Sequence, residues 1–524
     1  MSGLPRQMQD WPLLLTRVFD HAEREHSGRE VASLQADGTM VRSNWGRIAS
    51  DGRRMAKALR RLGVKPGDRV GSMAMSHLRH LVLWVGTMGT GAIVHTINPR
   101  LFDDQLVFVI EDAADRILFY DPQFEAIIER LRPRLTNVAT FIPFDALFDA
   151  LVAAESDEEG WLPIDERAPA MLCYTGGTTG NPKGVIYEHR SHLLHVMTQV
   201  MPDVFDFAAR SSILPNMPMF HCAAGGFPFG AALTGAKLVL STAADPATLH
   251  RLILEEDVTH SSGVPTIWSG VLQHEEIAGG GFNRLNRIMI GGSAAPRSLL
   301  NAYLERGIFM AHIWGMTEMS PVGTVTLRPG DWDDLTRDEQ LDILGKQGKP
   351  VFGVELRTVD EEGTTPVASG ESGHLQSRGP SVIERYFGHD AIATHADGWF
   401  DTGDIAQLDE TGTMRITDRA KDLIKSGGEW ISSVDLENSA MGCPGVLEAA
   451  AIPVPDEKWG ERPHLFVIPK TGASLDEDKV KAFLKDRIAR WWMPDRIHFV
   501  DELPRTGTGK VMKTELRRKF QATA

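Results

Sequence analysis

The sequence predicts an α/β protein with a large N-terminal domain of layered, largely parallel sheets and a small C-terminal α/β domain. Apolar runs of strand length alternate with helical patterns over about the first 400 residues, which is typical of parallel sheets covered by helices. The chain has 524 residues, too many for one ordinary hydrophobic core. These two observations together favour at least two domains.

The predicted elements of the large domain follow the alternation in chain order. Strands are predicted at residues 69–73, 116–120, 171–174, 237–240, 287–290 and 308–313, with helices at 45–62 and 247–255. Residues 80–99 contain no Asp, Glu, Lys or Arg, yet they include His and Gly. We interpret this stretch as a buried helix running into a strand, not as a membrane span.

The composition of the chain changes after Asp404, shortly before the predicted small domain. Residues 414–424 are polar and basic, and a compact unit follows with predicted strands at 446–452 and 464–468. A helix is predicted at 475–492, with Ser474 as its N-cap. We place the boundary near Arg419 and Lys421, which divides the chain into domains 1–418 and 419–524.

Composition excludes some function classes. The 55 basic and 70 acidic side chains give a formal charge of −15, which disfavours broad nucleic-acid binding. Charged residues at short intervals near the N-terminus do not fit a secretory signal. The three cysteines, far apart in sequence, form no disulfide framework or metal pair and favour a reducing cytoplasm. They are Cys173, Cys222 and Cys443.

A glycine-rich and threonine-rich loop follows the strand predicted at 171–174. Glycines permit close backbone approach, so that N–H groups can face phosphate oxygens, and hydroxyls and an ammonium group add donors. The residues concerned are Thr175, Gly176, Gly177, Thr178, Thr179, Gly180, Lys183 and Gly184. A surface turn is the alternative. A P-loop NTPase is disfavoured because Pro182 precedes Lys183, and because residues 506–510 end in a lysine followed by Val511.

Six motifs in a fixed order carry a resemblance to a known family. They occupy residues 175–184, 291–296, 314–318, 399–404, 418–425 and 504–510. In this order they resemble the adenylate-forming superfamily of acyl- and aryl-CoA synthetases, luciferases and nonribosomal adenylation domains. Residues 218–221 and 428–438 look most like the fatty-acyl-CoA synthetase subgroup.

The resemblance implies an enzyme that uses ATP, Mg²⁺ and CoA to activate a carboxylic acid. Two anions meet in such a reaction, so the site must supply cations and oriented donors. Glu318 is the implied Mg²⁺ ligand with Thr175 near the metal, and Thr317 contacts the α-phosphate. Lys510 is the implied catalytic cation.

The other implied nucleotide contacts are spread over both domains. Trp314 stands where the family more often has Tyr, and either ring can stack on adenine. Gly292, Ser293 and Gly315 lie near the nucleotide, and Asp404 accepts hydrogen bonds from the ribose hydroxyls. Each has an alternative as an ordinary turn or surface residue. Further basic and aromatic positions complete the set, namely Arg419, Lys421, Lys425 and Trp430.

The acyl pocket is implied around His221. An adjacent Cys-His pair invites a nucleophile interpretation, but no hydrolase pattern accompanies it. Linear-tunnel members carry a gating Trp four residues after the His, where this chain has Gly225. An open, wide pocket is the expectation, and a rearranged loop filled by Phe227 or Phe229 is the alternative. The implied pocket residues are Phe220, His221, Gly225, Gly291 and Met316.

The resemblance also implies a mobile C-terminal domain. It closes for adenylation, then rotates about Lys421 and presents a CoA-binding segment for thioester formation. That segment contains Ser426, Gly427, Gly428 and Glu429. A homodimer is suggested by the subgroup alone.

Four functions fit these motifs. The first is a CoA ligase for a medium-to-long-chain fatty acid or another bulky hydrophobic, aryl or branched acid. The second is an enzyme that loads a carrier protein, and the third is a luciferase-like oxidoreductase. The fourth, a non-catalytic nucleotide-binding protein, is disfavoured because Lys510, Glu318 and the phosphate loop are present.

Overall fold

The computed structural model of the protein describes residues 8–175, 181–427, 429–470, 472–505 and 511–523. Its helices are α1 (Thr16–His26), α2 (Trp45–Arg61), α3 (Leu78–Gly89), α4 (Asp103–Asp112), α5 (Glu125–Leu131), α6 (Ala146–Ala153), α7 (His189–Gln199), α8 (Phe227–Thr234), α9 (Pro246–Glu255), α10 (Pro265–Ala278), α11 (Arg297–Glu305), α12 (Arg337–Leu344), α13 (Ser433–Met441), α14 (Glu477–Leu484) and α15 (Lys513–Thr523).

The strands of the N-terminal part are β1 (Glu30–Leu34), β2 (Met40–Asn44), β3 (Arg69–Met73), β4 (Ile93–Thr96), β5 (Ile117–Tyr120), β6 (Thr140–Pro143), β7 (Pro169–Tyr174), β8 (Gly184–Glu188), β9 (Ser212–Leu214), β10 (Lys237–Ser241), β11 (His260–Gly263), β12 (Arg287–Gly291), β13 (Phe309–Gly315), β14 (Val322–Val325) and β15 (Lys349–Pro350). Later strands are β16 (Glu355–Val359), β17 (Ser372–Arg378), β18 (Phe400–Leu408), β19 (Met414–Arg419), β20 (Ile424–Ser426), β21 (Glu429–Ile431), β22 (Val446–Asp456), β23 (Gly460–Pro469) and β24 (Arg496–Phe499).

Two large sheets form the layers of the N-terminal domain. A six-stranded sheet has the order β6-β5-β3-β4-β7-β8, and a nine-stranded sheet has the order β15-β14-β13-β12-β11-β9-β10-β1-β2. Pairing is parallel from β6 to β7 and from β13 to β1, and antiparallel at the outer strands. The predicted α/β class with largely parallel sheets is confirmed, since βαβ units cover buried apolar strands with helices.

The two layers pack through helices that are themselves buried. Trp84 of α3 stacks on Phe229 of α8, with ring centroids 6.1 Å apart. The indole nitrogen of Trp45 donates to the carbonyl of Ala236 at 3.0 Å, which ties α2 to the start of β10. Because all these rings lie in one continuous apolar core, the two sheets form a single packing unit.

Residues 80–99 behave as their composition predicts. They form most of α3 and all of β4, and nearly all of their side chains are buried. Glycine is needed where α2 crosses α3, since a Cβ on Gly86 would lie 2.6 Å from Met55 Cγ. In the described residues, no helix combines the length and apolarity needed to cross a bilayer.

Two smaller sheets complete the chain. An antiparallel sheet of order β16-β17-β18-β19 precedes a five-stranded sheet built from β20–β24, which carries its own apolar core with α13 and α14. The predicted helix at 475–492 is wrong in extent. The helix is Glu477–Leu484, with Asp476 as the N-cap that accepts from Lys479 N at 2.8 Å. The chain leaves the helix at Lys485, and Asp495 N donates to Pro463 O at 3.0 Å just before β24 begins.

A buried cluster of charges joins β19 to the C-terminal unit. Lys513 at the start of α15 lies 2.7 Å from Glu437 of α13, with side chains only 12% and 15% exposed. Burial alone lowers the pKa of Lys513, but Glu437, Asp418 and Asp422 outweigh it and raise the pKa above its usual value. Asp418 also accepts from Ser433 N at 2.7 Å, so the cluster fixes the start of α13 against the end of β19.

Lys513→Met should destabilise the C-terminal unit by about 3 kcal/mol, because it leaves buried carboxylates without their cation. The measurement is urea unfolding followed by a probe in that unit. Lys485→Met removes an exposed lysine and serves as the matched control. Equal midpoints for the two variants would show that the cluster does not stabilise the junction.

Candidate active site

The phosphate loop connects two antiparallel strands at the edge of the six-stranded sheet. Tyr174 of β7 pairs with Gly184 of β8, and Thr175 N donates to Lys183 O at 2.9 Å, so the loop begins and ends at one point. Five predicted ligands lie outside the described residues, namely Gly176, Gly177, Thr178, Thr179 and Gly180. The ammonium group of Lys183 lies 4.6 Å from the ring centroid of Tyr386.

Glu318 lies in a short 3₁₀ turn, Thr317–Met319, directly after β13. Its side chain is buried, and Oε1 accepts a hydrogen bond from the Tyr386 hydroxyl at 3.0 Å. Burial raises the pKa of Glu318, whereas the bond from Tyr386 and the nearby Lys183 and Arg419 act in the opposite direction. Glu318 is thus a buried carboxylate with two cations, Lys183 and Arg419, near enough to oppose the effect of burial on its pKa.

The loop that carries His221 contacts the same turn. Cys222 Sγ lies 3.2 Å from Thr317 Oγ1 and 3.3 Å from His221 Nε2. The buried Tyr187 hydroxyl donates to Thr317 O at 2.8 Å from the other side. His221 and Cys222 therefore lie close to Thr317 and Glu318, although Cys222 and Thr317 are 95 positions apart in sequence.

Trp314 and Asp404 form a direct contact that was not predicted. The indole nitrogen donates to Asp404 Oδ2 at 2.8 Å, and Arg419 Nε lies 3.6 Å from Asp404 Oδ1. The indole also packs on Gly323, where an added Cβ would lie 2.5 Å from its Cζ3. The indole N–H therefore holds the Asp404 carboxylate in place, a contact that stacking on adenine does not itself require.

Glycines at the ends of β12 and β13 bring the backbone close to this cleft. Gly291 pairs with Ile313, and a Cβ on it would lie 2.8 Å from Ile313 O. Gly292 has φ +87° and is exposed together with Ser293. Gly315 faces Pro321 so closely that any side chain would overlap its carbonyl. Met316, the next residue, is half-buried.

Gly225 differs from what an open gate requires. It lies in the 3₁₀ turn Cys222–Gly226 with φ +60°, and a Cβ there would lie 2.9 Å from Met217 Sδ and 3.2 Å from the Phe227 ring. The space beside Gly225 is thus occupied, as in the rearranged-loop alternative, by Phe227 and also by Met217. Tryptophan cannot be introduced at this position without disrupting the turn.

The predicted nucleotide and CoA residues after β19 lie at the entrance to the C-terminal unit. Desolvation of the Lys421 ammonium group by surrounding protein atoms, together with the nearby Arg419, lowers its pKa. Lys425 Nζ lies 3.2 Å from Glu361 Oε1 and 5.8 Å from the ring of Trp430. The structure therefore ties Lys425 to the connection between β16 and β17.

The implied CoA segment has a defined start. Ser426 Oγ accepts from Arg462 Nη1 at 3.1 Å, and Gly427, with φ +62°, donates from N to Trp459 O at 2.7 Å. Glu429 is placed by its backbone pairing with Ser426. Gly428 and Lys510 lie outside the described residues.

A magnesium ion fits the donor set around Glu318. In the described ranges no three His, Cys, Asp or Glu side chains converge as a ready metal cage. Mg²⁺ needs only one or two carboxylates when phosphate oxygens and water complete its shell. The buried carboxylate of Glu318, which accepts one hydrogen bond, satisfies that requirement.

Tyr386 and Tyr187 are site residues that the sequence did not reveal. Tyr386 holds Glu318 and faces Lys183, and Tyr187 holds the backbone of Thr317. A single tyrosine in a loop or strand carries no spacing signal. The ordered motifs that flank both residues were the nearest indication.

The comparisons with known proteins agree with this geometry. Residues 19–387 match the family model described as AMP-binding enzyme, and residues 435–510 match the AMP-binding enzyme C-terminal domain. A medium-chain-fatty-acid–CoA ligase of Ectopseudomonas oleovorans is 42% identical, over 98% of this chain and 97% of that protein. A 3-methylmercaptopropionyl-CoA ligase of Ruegeria lacuscaerulensis is 43% identical, over 98% of each.

The fold likeness is equally extensive. The structure of the anthranilate CoA ligase AuaEII in complex with anthranoyl-AMP matches with a TM-score of 0.89 at 24% identity, over 99% of this chain and 100% of that one. The chain therefore belongs to the family of AMP-binding enzymes, as its ordered motifs predicted.

Proposed function

We propose that the protein is an ATP-dependent acid:CoA ligase that forms an acyl-adenylate and then an acyl-CoA. Its substrate is a medium-to-long-chain fatty acid or another bulky hydrophobic acid. The observation that carries this proposal is the convergence of Glu318, Tyr386 and Lys183 beside the Trp314–Asp404–Arg419 contact. Relatives of 42% and 43% identity are named as CoA ligases, so neither carrier loading nor luciferase-like oxidation is favoured.

In the first half-reaction a carboxylate oxygen bonds to the α-phosphorus of ATP and the bond to pyrophosphate breaks. Lys183 and the loop after Thr175 bind the phosphates, and Thr317 contacts the α-phosphate. Glu318 would hold Mg²⁺, which supplies charge neutralisation at the phosphate oxygens. Lys510 brings a further cation to the meeting point of the two anions.

The nucleoside is oriented by the group around Trp314. Its ring, with Gly292, Ser293 and Gly315, provides an adenine site. Asp404 accepts from the ribose hydroxyls, and the indole hydrogen bond at 2.8 Å fixes the carboxylate for that purpose. Arg419, 3.6 Å from the same carboxylate, adds a donor for ribose or phosphate.

In the second half-reaction the thiol sulfur of CoA attacks the acyl carbon and AMP leaves. We infer that the C-terminal unit, 419–524, rotates about Lys421 between the two steps and moves Lys510 away. Ser426, Gly427, Gly428 and Glu429 then line the thiol path, while Lys425 and Trp430 border the nucleotide. A homodimer and a cytoplasmic location belong to the same proposal.

The acid lies against Phe220, His221, Gly291 and Met316, with Gly225 contributing backbone. The carbonyl of Gly225 is already held by Gln199 Nε2 at 3.0 Å, so its turn is a fixed wall. Small acids would leave such an apolar pocket unfilled, and each well-placed methylene contributes about 0.8 kcal/mol of binding. Acetate should therefore be a very poor substrate.

The test is product analysis with linear C2–C16, branched and aryl acids, each with and without CoA. We expect AMP and pyrophosphate in equal amounts, acyl-CoA when CoA is present, and kcat/KM rising with apolar size. ADP with inorganic phosphate would refute the ligase proposal. An optimum at acetate would refute the proposed pocket alone.

A further inference from the structure

Two buried hydrogen-bond donors approach one face of Gly263 at the carboxyl end of β11. A Cβ atom on Gly263 would lie 3.1 Å from Trp268 Nε1 and 3.3 Å from Asn216 Nδ2. The third-nearest atom to that point is Asn216 Cβ at 3.7 Å. Because glycine has no side chain, no side-chain atom of residue 263 lies between the two donors.

Both nitrogens are buried and lack a hydrogen-bond partner among the residues that the structure describes. The Trp268 side chain is 0% exposed. An indole N–H can only donate, and a buried donor without an acceptor is costly, so such groups are rare in native proteins. The pair therefore points to an acceptor that the chain itself does not supply.

The donor pair adjoins the proposed acyl pocket. Gly263 pairs with Ile290, the residue before Gly291, on the neighbouring parallel strand β12. Asn216 precedes Met217, whose sulfur lies against the turn at Gly225. The pair is thus between two predicted walls of the pocket, at the strand ends where ligands of α/β sheets bind.

We propose that Trp268 and Asn216 bind an uncharged acceptor oxygen on the chain of the acid, such as a keto, hydroxyl or ether oxygen. Neither donor carries charge, and a buried carboxylate would require a cation. This inference rests on the proposed function, because it places the acid between Gly225 and Gly291. It makes Trp268 and Asn216 specificity-determining residues.

The experiment is an oxygen scan of the acid. The kcat/KM of a linear acid is compared with those of ether acids of equal length, with oxygen at each successive position. The wild-type protein should prefer one position by about 10-fold, the scale set by two neutral hydrogen bonds. Asn216→Leu should reduce that ratio to about 3, because one of the two donors remains.

Trp268→Phe removes the second donor and should reduce the same ratio. Trp332→Phe is the matched control, since Trp332 is a buried tryptophan that packs on Phe309 and should leave the ratio unchanged. Should Trp268→Phe fail to fold, Asn216→Leu decides alone. The ratio is read within each variant, so a general loss of activity does not affect it.

A flat oxygen profile in the wild type, or a preference that stays at its full wild-type size in Asn216→Leu, would overturn the donor pair. Normal acyl-CoA formation from the parent acid in that case would leave the ligase proposal intact. No acyl-CoA from any acid would refute the proposed function itself.

Discussion

Lys510→Ala should slow adenylation by about 10²–10³-fold, the scale for loss of one oriented electrostatic group in a transition state. Thioester formation from a supplied acyl-adenylate should fall much less, because Lys510 has then moved away. The measurement is the single-turnover rate of each half-reaction. Lys485→Ala, an exposed lysine of the same unit, is the control.

Lys421→Pro should have the reverse effect. Proline fixes φ at the proposed hinge and so hinders rotation, while the adenylating arrangement keeps its contacts. Equal losses in both half-reactions for Lys510→Ala would contradict the rotation.

Glu318→Gln should reduce adenylation by about 10²-fold or more, because a neutral amide cannot neutralise a metal cation as the carboxylate does. ATP-dependent pyrophosphate exchange measures this step directly. Since burial raises the pKa of Glu318, its charged form is lost at higher pH than for an ordinary glutamate. The wild-type rate should therefore have an acid limb where protons compete with Mg²⁺ for this carboxylate.

Tyr386→Phe tests whether the titration of Glu318 sets the pH dependence or whether Glu318 only supports the structure of the site. The Tyr386 hydroxyl stabilises the charged form of Glu318, so its removal raises the pKa further. The acid limb should move to higher pH, with a near-normal rate on the alkaline plateau. An unshifted limb would mean that Glu318 does not set the pH dependence.

The layered fold was accessible to sequence reasoning because its parallel strands are buried on both faces. The runs at 69–73 and 287–290 became β3 and β12, and residues 80–99 gave α3 and β4. The predicted helix at 475–492 was too long because residues 485–492 have a composition that is typical of helices. The path of the chain after α14 includes the long-range bond from Asp495 N to Pro463 O, which no local pattern contains.

Site residues could be predicted from the sequence where a motif contains several residues at fixed spacing. Trp314, Glu318 and Asp404 were found in this way, although 86 residues separate Glu318 from Asp404 in the printed sequence. The bond between Trp314 and Asp404 was not predicted, because the family resemblance assigns Trp314 to adenine and Asp404 to the ribose. Gly225 shows the opposite limit, since only the three-dimensional positions of Met217 and Phe227 reveal that its neighbourhood is filled.

The central claim is that the acid becomes an acyl-adenylate before it meets CoA. The most direct test supplies octanoate labelled with ¹⁸O in both carboxyl oxygens, with ATP and CoA, and analyses the products by mass spectrometry. If the carboxylate attacks the α-phosphorus, AMP carries one ¹⁸O and pyrophosphate carries none. Label in inorganic phosphate, or unlabelled AMP beside octanoyl-CoA, would contradict the mechanism.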